Sequence, residues 1–128
     1  MTDKQLIEMA EKARESAYAP YSGFTVGAAL LCADGTLYTG CNIENASFTP
    51  TCCAERVAVF KAVSEGKRDF VAIAVAGGKA GEQSLGVCAP CGVCRQVLSE
   101  FARPDLRVLF SDGTQTTLGG LLPLSFEL

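Results

Sequence analysis

The chain has 128 residues, 48% of them hydrophobic, with 11 basic against 14 acidic side chains and a net charge of −3. That is enough apolar mass for one domain, spanning residues 1–128, around a single core. The acidic balance and the lack of any basic or aromatic-basic stripe argue against a nucleic acid polymer as partner, and no stretch is apolar enough to span a membrane. Histidine is absent, and the seven cysteines follow no leader-like segment. They are expected to be reduced thiols and metal ligands in a cytoplasmic protein, not a disulfide framework.

The first predicted element is a helix from Thr2 to Tyr18, with Leu6, Met9, Ala10, Ala13 and Ala17 on one stripe, ended by Pro20. Two strands, Phe24 to Cys32 and Leu37 to Asn42, flank Asp34-Gly35, a strong hairpin signal. A helix from Cys52 to Val63 follows Pro50-Thr51, and an apolar strand runs from Phe70 to Ala76. The segment Gly77 to Gly86 is glycine-rich but lacks the spacing and the Lys-Ser ending of a phosphate-binding loop, so it is expected to be a surface connection. A second helix, Cys91 to Phe101, opens after Pro90. The chain then predicts a strand from Leu106 to Ser111, a turn at Asp112-Gly113, an edge strand from Thr114 to Thr117 and a short helix from Leu118 to Leu122. This order implies an α/β fold of three layers, with helices on both faces of a mixed five-stranded sheet.

Two cysteine clusters stand at the two helix starts, Cys53-Ala54-Glu55 and Pro90-Cys91-Gly92-Val93-Cys94. Free backbone N–H groups and the positive dipole end at such positions favour thiolates. Three thiolates, Cys53, Cys91 and Cys94, match the ligand count of a catalytic zinc, which keeps a fourth position for water. With no histidine to act as base, Glu55 is the expected proton carrier. Cys53 and Glu55 are two apart, so both can face one ion only if it lies over the helix N-terminus. Arg56 and Arg95 each directly follow a cluster, and an arginine donating to a thiolate would draw charge from the metal; of the two, Arg56 is the preferred candidate. Cys52 and Cys88 leave other readings open. Either could close the site as a fourth thiolate, making a structural zinc module, and Cys88, Cys91 and Cys94 without a metal would suit a thiol redox protein.

These motifs, together with Pro20-Tyr21-Ser22-Gly23-Phe24-Thr25-Val26-Gly27 and Gly40-Cys41-Asn42-Ile43-Glu44-Asn45-Ala46, come in the order found in cytidine deaminases of the small, three-cysteine zinc type, which the chain resembles over nearly its whole length. The Pro-Cys-x-x-Cys signature and the non-ligand glutamate are general features of zinc deaminases. The resemblance implies one zinc ion per chain and hydrolytic deamination of cytidine and 2′-deoxycytidine to the uridines with release of ammonia. It implies that Phe24 packs on the pyrimidine, that Asn42 and Glu44 meet the ribose, and that the main chain at Ala54 and Cys91 holds the base. Asn42 and Glu44 can point to one side of an extended segment, which suits a sugar hydroxyl, against the plainer alternative of a polar turn. The resemblance further implies a homotetramer with shared sites, with neighbouring-subunit contacts at Ala46, Phe48 and Phe126. Phe48 stands where the family often has tyrosine. A blasticidin S-type deaminase is the alternative substrate class.

Overall fold

The computed structural model describes residues 1–128. Its elements are α1 (Asp3–Ala13), β1 (Phe24–Cys32), β2 (Leu37–Cys41), α2 (Ala54–Ser64), β3 (Phe70–Lys79), α3 (Gly92–Phe101), β4 (Arg107–Phe110), β5 (Gln115–Thr117) and α4 (Leu118–Leu121). The five strands form one sheet in the order β2-β1-β3-β4-β5. β3 and β4 run parallel, and the other neighbours pair antiparallel. No helix is long and apolar enough to cross a membrane.

Alternation along the strands sorts the core into two layers. Ala28, Leu30 and Cys32 of β1 and Ile73 and Val75 of β3 face one side, where they bury against Ala58, Val59 and Ala62 of α2 and Leu98 of α3. Ala29 of β1 and Ala72, Ala74 and Ala76 of β3 face the other side and bury against Leu6 and Ala10 of α1. The α1 face of the sheet is thus made mainly of alanines, which lets that helix lie close. At Gly27 the approach is closest: a side chain there would overlap the Ala10 carbonyl oxygen. The expected three layers are all present.

Boundaries differ in physically informative ways. The first helix begins with a capping box, in which the Gln5 N–H donates to Thr2 Oγ1 at 3.1 Å and the Thr2 N–H donates to Gln5 Oε1 at 2.8 Å. It ends earlier than periodicity suggests, tightening at Arg14–Ser16 into a 3-10 turn. The third strand runs past its expected end at Ala76 to include Gly77, Gly78 and Lys79, paired with Val26, Thr25 and Phe24. Part of the supposed glycine-rich loop is therefore sheet. The expected hairpin at Asp34-Gly35 is present, with Gly35 at φ +87°, where glycine carries no steric penalty.

Candidate active site

Both cysteine clusters sit at helix N-termini, one step outside the helices. Cys53 is the N-cap of α2 and Cys91 the N-cap of α3, each with extended backbone and neither side chain capping the main-chain N–H groups of its helix. A serine or aspartate at an N-cap would turn back to bond the second or third N–H of the helix. The sulfurs instead face one another. Cys94 comes from the first turn of α3 and is fully buried.

The Sγ atoms of Cys53 and Cys91 are 3.8 Å apart and those of Cys91 and Cys94 3.6 Å apart, with all three inside 4.8 Å of one another. Sulfurs about 2.3 Å from a tetrahedral zinc would stand about 3.8 Å apart. The donor set therefore fits zinc in both chemistry and spacing. The adjacent Cys94 sulfur, with help from Arg56, holds the Cys53 thiol well below its usual range, while the adjacent Cys53 sulfur and burial push Cys94 up. Arg56 Nη2 donates to Cys53 Sγ at 3.3 Å, as its position in the sequence suggests. Arg95 does not share that role. Its guanidinium donates to the carbonyls of Pro90 at 2.7 Å and Leu121 at 2.8 Å, tying α4 to the turn before α3.

Cys52 and Cys88 lie outside the sulfur cluster. Cys52 is not helical, contrary to expectation. Its N–H donates to the Ile43 carbonyl at 3.0 Å and its carbonyl accepts from the Ile43 N–H at 2.9 Å, which pins the segment leading to Cys53 against the segment after β2. Cys88 packs over Gly77, and burial raises its thiol to about 11. This arrangement supports the register Cys53, Cys91 and Cys94, with no fourth sulfur in the group.

A cleft of about 370 Å³ opens beside the cluster, lined in part by Phe24, Asn42, Glu44, Ala54, Glu55 and Cys91. Glu55 stands one turn position inside α2 and is only 4% exposed. Burial, joined by the nearby Cys53 charge, pushes its carboxyl up to about 7, the range in which a group can both accept and return a proton near neutrality. Cys53 and Glu55 reach the same cleft because it lies over the N-terminus of α2. Gly40 makes this seating possible. A side chain there would run into the main chain of α2 at Ala54 and at the Ala58 nitrogen.

The polar pair from the β2 exit is already engaged with the protein. Asn42 Oδ1 accepts from the Val26 N–H at 2.8 Å and its Nδ2 donates to the Phe24 carbonyl at 2.9 Å. Glu44 Oε1 accepts from the N–H groups of Tyr21 at 2.9 Å and Ser22 at 3.1 Å, and its Oε2 from the Ser22 hydroxyl. These bonds hold the carboxyl below its usual range, the Ser22 hydroxyl contributing most. An amide keeps a second N–H and a second lone pair, and a carboxylate has about four acceptor positions, so each retains capacity for a ligand. Ala46 and Phe48 lie on the exposed loop after Glu44. Phe48, 85% exposed, borders a recess that shares Ser22, Glu44 and Thr51 with the cleft. Phe126 is 68% exposed and does not line the cleft of its own chain. Ser22 and Thr51 line the cleft without having been singled out, since a hydroxyl in a loop carries no periodic signal.

A family profile described as the cytidine and deoxycytidylate deaminase zinc-binding region matches residues 1–110. A cytidine deaminase of Sporosarcina psychrophila is 51% identical, over 99% of this chain and 93% of its own. A blasticidin-S deaminase of Bacillus cereus is 34% identical, over 96% and 93% respectively. The crystal structure of a cytidine deaminase from Burkholderia pseudomallei superposes with a TM-score of 0.87 at 49% identity, covering 98% of this chain and all of that one. With a buried carboxylate beside three converging sulfurs and matches of this extent, the chain belongs to the zinc-binding cytidine and deoxycytidylate deaminase family.

Proposed function

We propose that the chain deaminates cytidine and 2′-deoxycytidine hydrolytically, as a cytoplasmic homotetramer whose neighbouring subunits help to close each cleft. The observation that carries this reading is the placement of three zinc-competent sulfurs and the buried Glu55 carboxylate on one small cleft. Bound there, zinc would be held by Cys53, Cys91 and Cys94 and would supply an acidified water.

The remaining chemistry belongs to the side chains. Glu55 accepts a proton from the water that adds to carbon 4 and hands it to ring nitrogen 3. It then carries the remaining proton of that water, from the hydroxyl now on carbon 4, to the exocyclic nitrogen; the carbon–nitrogen bond breaks, ammonia leaves and the carbonyl forms. Its burial excludes bulk water from that transfer. Phe24 supplies an apolar wall for the flat base, and the main chain at Ala54 and Cys91 offers it hydrogen bonds. Asn42 and Glu44 receive the ribose hydroxyls through the capacity left by their bonds to the chain, so a free base would forgo the contacts that this remaining capacity offers. Arg56 draws charge from Cys53, offsetting part of the excess that three thiolates bring to a dication.

No lysine or arginine lines the cleft or the adjoining recess, and Glu44 borders both. A 5′-phosphate would meet a carboxylate and no cation there, which favours the nucleoside over the nucleotide. Identity is also lower to the blasticidin-S deaminase than to the cytidine deaminase. Exposed Phe48, Leu124 and Phe126 supply apolar surface for a neighbouring subunit, and free thiols at a metal cluster suit a reducing compartment.

Ultraviolet assay of cytidine, cytosine, cytidine monophosphate and blasticidin S tests the reading, before and after zinc is stripped with a chelator. Turnover of cytidine that vanishes on stripping and returns with zinc is expected, with little conversion of the other three. Metal-independent turnover, or preference for blasticidin S, would overturn it.

A further inference from the structure

Arg14 is an arginine that the chemistry above does not use, yet it is only 9% exposed and forms no ion pair. Its guanidinium is held by main-chain carbonyls alone. Nε donates to Thr25 at 2.9 Å, Nη1 to Glu82 at 2.6 Å and Nη2 to Lys79. Two segments of chain meet there. Thr25 lies in β1 between Phe24 and Val26, both of which border the cleft, while Lys79 and Glu82 open the loop that leads to Cys91.

That loop doubles back over the end of β3. A side chain at Gly78 would stand 2.7 Å from Leu85 Cδ2 and 3.3 Å from Arg14 Nη2. One at Gly77 would stand 2.5 Å from Cys88 Sγ and 3.2 Å from Phe24 Cε1. The returning leg thus lays Leu85 over Gly78 and Cys88 over Gly77, bringing the Cys88 thiol beside the Phe24 ring at the cleft wall. A planar fork with five donors can tie carbonyls of two segments at once, which an ammonium on a flexible stem cannot do in one plane.

We infer that Arg14 is a positioning residue for the cleft: it pins the loop after β3 to the start of β1, and so fixes the wall formed by Phe24 and Cys88 against which the base lies. This inference rests on the proposed cytidine site. Released from the pin, the wall should bind the base less well, while the sulfur cluster and Glu55, carried by α2 and α3, keep their places.

The test is Arg14→Ala in the full-length zinc-loaded protein, assayed on cytidine beside the wild type. KM should rise on the order of tenfold, with kcat changed by less than about threefold and one zinc retained. Arg14→Lys should recover part of the loss, and added guanidinium ion should lower the KM of Arg14→Ala. A folded Arg14→Ala with wild-type KM would overturn the inference, as would activity lost in step with zinc. If Arg14→Ala does not fold, Arg14→Lys decides: a KM above wild type with near-wild-type kcat and one zinc is expected, and a wild-type KM would overturn the inference. Wild-type protein that does not turn over cytidine would instead refute the functional reading itself.

Discussion

Replacing Gly40 by alanine should weaken zinc binding without touching any ligand. Gly40 is the point where β2 meets α2, and an added methyl group would lie 2.6 Å from the Ala58 nitrogen, with the Ala54 carbonyl oxygen closer still. Both are backbone atoms of the helix and cannot rotate aside. Ordinary contact needs about 3.5 Å, so α2 must retreat by at least roughly 0.9 Å, taking Cys53 at its N-cap and Glu55 with it. The Cys53 and Cys91 sulfurs now stand 3.8 Å apart, and metal sites tolerate about 0.2 Å of error in ligand distance. Zinc affinity, measured by competition with a chromogenic chelator, should fall by about tenfold or more. Overpacking should also cost about 1–3 kcal/mol, seen as a melting temperature lowered on the order of 5–10 °C. Gly92→Ala is the control, since a methyl group there meets nothing within 4 Å. It should leave both quantities near wild type. If Gly40→Ala binds zinc and melts as the wild type does, α2 is not seated through Gly40 and the argument fails.

Glu55→Gln should retain one zinc per chain yet lose about 10²–10⁴ in turnover, the contribution of a positioned proton carrier; loss of the metal by elemental analysis would make Glu55 a ligand. Cys52→Ser and Cys88→Ser should each keep zinc stoichiometry and three-sulfur coordination by X-ray absorption, because neither sulfur lies in the cluster; a loss of one sulfur in either variant would revive the closed structural site. Phe126→Ala should raise KM for cytidine with zinc unchanged if a neighbouring chain supplies this ring, and sedimentation at the assay concentration should show a tetramer. A fully active monomer would return Phe126 to a purely local role.

The two cysteine clusters, their helices and Glu55 as the carboxylate beside them were legible in the sequence because each is a local signal. Proline and cysteine mark the helix starts, the spacing of Cys91 and Cys94 puts both at the first turn of one helix, and the absence of histidine leaves few alternatives for the chemistry. The apolar stripe of the first helix likewise marks Leu6 and Ala10, which bury against the sheet. Local patterns could not say which cysteines meet, since Cys53 and Cys91 are joined only when α2 and α3 pack on one face of the sheet. Nor could they show that Arg95 ties down α4 while Arg56 bonds a sulfur, for each arginine directly follows its cluster. The sequence marks Asn42 and Glu44 as candidate ligand contacts, and only the folded chain shows that they fasten β1 and the loop before it. Gly40 and Gly77 have their meaning in the backbone or side chain that lies against them, partners drawn from distant segments. Spacing along one helix is set by covalent geometry and is written in the sequence; the distance between two helices is set by what packs between them and the sheet, and only the tertiary structure decides it.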